Sequence, residues 1–143
     1  MSSQLNVDTI VDKAGSGGSN VKMANTSTYV SDGGGATQNT VQGLAKAWMQ
    51  QTTGTTINGS FNCSSLSDNG TGDYTTLFTN DMANDDYACQ CTGADANTNA
   101  SIVLMVMNSS GYAAGSARMF FLNEDSGAAD GGPNSITVNG DLA

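Results

Sequence analysis

The stretch from Ser60 to Thr79 constrains the fold more than any other part of the chain. Phe61 and Cys63 alternate with Asn62 and Ser64, the period-two pattern of a half-buried strand. Asp68-Asn69-Gly70-Thr71-Gly72-Asp73 follows as a glycine-spaced reversal, in which Gly70 and Gly72 can take the positive φ angles a tight turn needs. Tyr74-Thr75-Thr76-Leu77-Phe78-Thr79 then returns, with Tyr74, Thr76 and Phe78 on one face. Strand, turn and returning strand make a β-hairpin.

The same pattern recurs downstream. Asp86 to Cys91 reads as a strand with Tyr87, Cys89 and Cys91 on one face. Ile102-Val103-Leu104-Met105-Val106-Met107 is apolar on both faces, as in a strand covered from both sides, and Asn108-Ser109-Ser110-Gly111 reads as the turn that ends it. Arg118 to Leu122 is a strand of the same kind, and Ile136-Thr137-Val138 is the last, after a loop from Gly127 to Pro133. Upstream, Gln42 to Met49 is ambiguous. Leu44 and Trp48, four apart, permit a short helix, whereas Ala45, Ala47 and Met49 alternate as a strand would. Close-spaced strands with Gly and Asn turns predict an all-β fold, a compact antiparallel β-sandwich or barrel over residues 44–143. Strands apolar on both faces leave more sticky surface than one small core hides, which predicts a homo-oligomer of closed symmetry.

Residues 1–43 differ. Leu5 to Val11, Val21 with Met23, and Thr28-Tyr29-Val30 are short extended pieces separated by Gly15-Ser16-Gly17-Gly18-Ser19 and closed by Gly33-Gly34-Gly35. Too few apolar residues lie here to offset backbone ordering of about 1–2 kcal/mol per residue. The expectation is an extended Gly/Ser-rich arm that is ordered only by company.

Composition narrows the function classes. Of 143 residues, 18 are Gly and one is Pro, and only 12% are charged. Such a mix suits strands and hydrogen-bonding loops rather than long ion-paired helices. Net charge is −9 with just four basic residues, so a nucleic-acid footprint is absent. No apolar run is long enough for a transmembrane helix, and the first residues lack the basic and apolar regions of a secretion signal. These features predict no membrane partner and assembly in a cytoplasm.

The chemistry-bearing residues point away from catalysis. There is no histidine, and no GxSxG, P-loop or dinucleotide fingerprint occurs. Carboxylates cluster at Asp81, Asp85 and Asp86 and again at Glu124, Asp125 and Asp130, but both sets fall in loops, where acids are solvated. The Asp68–Asp73 turn is rich in oxygen ligands, yet Gly70 and Gly72 stand where a calcium loop wants acidic or amide side chains. Cys63, Cys89 and Cys91 make an odd set without a fourth ligand, which reads as small apolar side chains rather than a zinc site. No catalytic residue, metal site or cofactor is expected. A glycan could bind loops rich in Asn, Asp and Thr, with Tyr112 as the aromatic for a sugar ring to stack on.

The combination Ala45-Lys46-Ala47-Trp48, Ser60-Phe61-Asn62-Cys63-Ser64-Ser65 and Asp68-Asn69-Gly70-Thr71-Gly72-Asp73-Tyr74-Thr75 resembles a small β module of tailed-phage virion proteins, including tail fibres and head-surface appendages. The resemblance covers roughly residues 44–141. It implies that Gln42 to Met49 is the first core strand and that these residues are core and turn positions. Phe78, Met82 and Tyr87 sit where the module carries Phe, Met and Tyr, while Thr76 and Leu77 depart from its pattern and suggest a strand covered on both faces. The opening Leu5 to Gly17 is similar to arms that attach such subunits to a particle. The resemblance therefore implies a virion structural protein, non-enzymatic and trimeric, assembled in the host bacterial cytoplasm. Residues 1–43 would hold it to a capsid or tail protein, either as a capsid decoration or short head-fibre subunit or as a tail adhesin binding a host glycan.

Overall fold

The structure is a computed structural model that describes residues 27–30, 35–52, 54–94, 104–122 and 127–143. Among these residues there are ten strands and no helix. The chain divides into two units, Met1–Val41 and Gln42–Ala143.

In the first unit β1 (Thr28–Val30) pairs antiparallel with β2 (Thr37–Asn39), Tyr29 opposite Gln38. The Thr40 amide closes the ladder by donating to the Ser27 carbonyl at 2.9 Å. The extended pieces expected over Leu5 to Val11 and at Val21 and Met23 lie outside the described residues.

The second unit is all antiparallel. Its strands are β3 (Ala45–Gln51), β4 (Ile57–Phe61), β5 (Cys63–Gly70), β6 (Asp73–Phe78), β7 (Ala88–Gly93), β8 (Leu104–Ala113), β9 (Ser116–Leu122) and β10 (Asn134–Asn139). They form two four-stranded sheets, β4-β3-β10-β7 and β5-β6-β9-β8, which share one core as a β-sandwich. First and last strands of the unit lie side by side, with Val138 opposite Ala47 and Ile136 opposite Met49.

Alternation explains the inner faces. Ala47 and Met49 of β3 and Ile136 and Val138 of β10 point inward from one sheet. Tyr74, Thr76 and Phe78 of β6 and Ala117, Met119 and Phe121 of β9 do so from the other. Tyr74 and Phe121 meet edge to face at 5.8 Å, the favoured geometry for aromatic quadrupoles. The Thr76 hydroxyl donates to the Met49 sulfur at 3.9 Å, a polar contact between the two sheets. The outer positions of β6, Thr75 and Leu77, are half-buried, so this strand is two-faced as a sandwich strand should be.

The structure corrects three expectations. Ser60 to Ser65 is not one strand: it breaks at Asn62, whose φ of 56° lies in the left-handed region that Asn tolerates better than most residues. The Asn62 carboxamide is braced by Asn80, accepting from its backbone amide at 2.8 Å and donating to its carbonyl at 3.0 Å. The bend sends β4 into one sheet and β5 into the other. The reversal after β5 is also shorter than expected, because the strand runs to Gly70 and the turn proper is Thr71-Gly72. Finally, Asn108 to Gly111 is not a turn. It is an irregularity within β8, between the Met107–Met119 and Tyr112–Ala117 pairs, and the chain reverses at Ala114-Gly115. That reversal is anchored by amides from outside the hairpin, Phe78 donating to the Gly115 carbonyl at 2.9 Å and Met82 to the Ala114 carbonyl at 2.8 Å.

Candidate functional site

Trp48 and Gln50 share one side of β3, and Ala47, Met49 and Gln51 the other, with Lys46 out of step and buried. Burial of the apolar set turns Trp48 outward, where it is 43% exposed. A bulge where β10 steps from Val138 to Asn139 draws Lys46 in, and its ammonium donates to the Leu44 carbonyl at 3.0 Å. Across the ladder Phe61 faces Trp48 directly, so it shares the outer face, and it is 54% exposed. The expectation that both aromatics are core residues is therefore overturned: they stand together on the outer face of the β4-β3-β10-β7 sheet.

Gly59 supports the indole. It lies diagonally beside Trp48, and a Cβ placed there would meet the six-membered ring at 3.5 and 3.6 Å. The Cζ3–Cη2 edge of the ring thus lies beside a position that carries no side chain. Along the same row Thr137 follows Trp48 and Gln90 follows Thr137. In the next row come Gln50, Ser135 and Thr92, the last two sharing a hydrogen bond of 2.6 Å between hydroxyls. None of these side chains is charged, although the protein carries −9 overall.

A concavity lies at the end of the same sheet, lined by residues that include Gln42, Asn84, Asp86, Asn139 and Asp141. Its polar groups serve the fold. Gln42 donates to Asp141 Oδ2 at 3.2 Å, and the Asn84 carboxamide oxygen accepts the Asp86 amide at 2.9 Å.

The remaining sequence candidates fall apart as a site. The Asp68–Asp73 oxygens are engaged by the chain itself: Asp68 accepts the Gly70 amide at 2.9 Å, and Asn69 donates to Asp73 at 3.3 Å and Thr75 at 2.8 Å. Arg118 grips Asp73 with Nε at 2.9 Å and with its terminal nitrogen, and this fork holds the Asp73 carboxyl below the usual carboxylate range. Asp130 accepts from the Gly72 amide at 2.7 Å and the Tyr74 hydroxyl at 3.1 Å, a clamp on the hairpin turn rather than half of a carboxylate pair. Glu124 and Asp125 lie outside the described residues. Asp81 sits against the Ala114-Gly115 turn, with Oδ1 3.1 Å from where a Gly115 Cβ would be. Among the described residues no three His, Cys, Asp or Glu side chains group as a metal site.

The cysteines are packed groups. Cys89 and Cys91 share the inner face of β7 with sulfurs 3.6 Å apart, and the thiol contact together with burial pushes Cys89 up. Burial alone pushes the Cys63 thiol up to about 11. Tyr112 is likewise no loop aromatic. It lies on β8 and packs on Tyr87 at 5.1 Å between ring centres, which removes it as a stacking platform.

The aromatic pair was missed because cross-strand register is invisible in one segment. A signal did exist: Trp48 falls on the polar side of β3, in step with Lys46 and Gln50. Among the described residues no helix is long and apolar enough to cross a membrane. In comparison with known proteins, no family model, no curated protein and no solved structure matches the chain.

Proposed function

We propose that the protein is a non-enzymatic structural component of a phage virion, a capsid-surface decoration or short head-fibre subunit held to the particle through residues 1–43. The observation that carries this reading is the state of the β1–β2 hairpin. Every residue of β1 is exposed, with Tyr29 at 64% and Val30 at 51%. Among the described residues no further strand pairs with this hairpin; two strands by themselves are marginal in water, and exposed apolar side chains on them gain by docking. A particle protein or a sister subunit laid against β1 would bury them and extend the ladder at once. The sandwich supports the other half of the role, a rigid body with its turns fastened by bonds from outside the hairpins. Its mechanism is burial of area, with no turnover, and a closed homotrimer is the assembly the module resemblance suggests.

The test is made on particles. The full chain carrying a C-terminal peptide tag is supplied during phage assembly, and purified virions are imaged with a label against the tag. Label distributed over the head, lost when Tyr29 and Val30 are both changed to Ser, supports the reading. Virions without the protein overturn it.

A further inference from the structure

The geometry points to a glycan-binding platform on the outer face of the β4-β3-β10-β7 sheet, with Trp48 as the stacking surface for an uncharged pyranose. The inference does not depend on where the protein sits on a particle, or on whether it sits on one.

Three features of the face select this ligand. The indole meets Gly59 along the Cζ3–Cη2 edge of its six-membered ring, where a side chain larger than Ala would push it away, and 43% of Trp48 is open to solvent. A pyranose presents one face of C–H bonds, which suits the negative face of an aromatic quadrupole. Phe61 beside it extends the apolar floor to the sheet edge. Next, the groups bordering the floor are hydroxyls and carboxamides: Thr137 and Gln90 along the row of Trp48, and Gln50 beside Gly59. Each can both donate and accept, which is what a ring of sugar hydroxyls offers in return. Third, the two rows carry no charge on a protein of net −9. Neither an anionic ligand nor a cationic one finds a partner there, whereas a neutral one is not repelled.

A second copy of the chain is the competing occupant, and area argues against it. The exposed portions of Trp48 and Phe61 come to roughly 200 Å² together, from their fractional exposure and the usual size of these side chains. A stable interface buries about 800 Å² on each partner, roughly 450 Å² of it apolar, so the two rings supply less than half of what a second copy needs. The remaining neighbours are polar and add little apolar area. A sugar residue needs only the rings and the hydrogen bonds beside them.

Trp48 is the sole tryptophan of the chain, so its fluorescence reports the site directly. The full-length protein is titrated with soluble dextran, galactomannan, xyloglucan and mannan, and with alginate as an acidic control, while indole emission and acrylamide quenching are followed. The expected result is a blue shift and protection from quenching with at least one neutral polysaccharide and none with alginate. Retardation in native gels containing that polysaccharide should fall at least about tenfold in Trp48→Ala. Gly59→Val, which pushes the ring away but keeps it, should weaken retardation, and Trp48→Tyr should restore part of it. Far-ultraviolet circular dichroism of each variant establishes that the sandwich is intact. No response to any neutral polysaccharide overturns the proposal. So does a Trp48→Ala variant that merely changes the oligomeric state, since the face is then a subunit contact. Neither outcome bears on particle attachment through Tyr29 and Val30, which the labelled virions decide.

Discussion

The two sheets of the sandwich share an interior and differ in what they show to solvent. On the β5-β6-β9-β8 sheet, Arg118 forks onto Asp73, Asn69 braces the same carboxylate, and the guanidinium carbon lies 5.8 Å from the centre of the Phe120 ring. An aromatic on that face is capped by a cation that is itself held in place. On the opposite face, among the described residues, Trp48 and Phe61 lie beside each other, Gly59 and a border of neutral polar groups. One outer face meets its own chemical needs and the other leaves an apolar floor open. Architecture alone does not make a surface functional. The difference comes from which residues complete one another before a ligand arrives.

The largest effect should come from beneath both faces. Phe121→Ala removes a ring that is wholly buried and in contact with Tyr74, and should cost about 3–5 kcal/mol in chemical denaturation. A loss below about 1 kcal/mol would mean that the two faces do not share one packed core. Next comes the hairpin turn of the closed face. Gly72 has φ of 69°, and a Cβ there would approach the Phe121 carbonyl to 2.7 Å and Ala129 backbone atoms to 2.9 Å. Gly72→Ala should therefore destabilise by about 1–3 kcal/mol or prevent folding, as measured by urea midpoint.

The proton-linked predictions separate the faces by pH. Arg118 lowers Asp73 from its ordinary 3.8, so the carboxylate contributes stability that is present above that value and lost as pH falls through the lowered one. Asp73→Asn should flatten the acid side of the stability profile, and an unchanged profile would break the claim that the closed face is electrostatically tied. Tyr74 and Tyr87 behave oppositely. Burial, first among the causes, pushes both phenols up to about 12 from an ordinary 10. Their contribution is complete below about pH 10 and disappears as pH rises towards about 12. Tyr74→Phe should remove part of that alkaline loss in a denaturation series from pH 9 upward. The smallest effect belongs to the open face: Trp48→Ala should change stability by at most about 1 kcal/mol. A larger loss would show that the ring supports the fold more than it awaits a ligand.

Several elements were legible because their signals are local. The hairpin through Asp68–Asp73, the inward set Tyr87, Cys89 and Cys91, and the final strand at Ile136 each follow from a period of two and from residues suited to turns. The misreadings share a cause. Asn108 to Gly111 has turn chemistry, yet β9 pairs on both sides of it and carries the strand through. Tyr112 reads as a loop aromatic only until the continued strand delivers it to Tyr87. Phe61 reads as core until the register sets it opposite Trp48 on the outer face.

Taken by itself, the chain of residues determined that this protein is antiparallel β and that glycine marks its reversals, because side-chain alternation and permitted φ angles are properties of neighbours in sequence. Tertiary structure alone decided that Trp48 and Phe61 stand together in the open while Arg118 and Asp73 close upon each other. Those pairings bring residues from different strands into register, and the register was set by which apolar faces the two sheets could bury against one another.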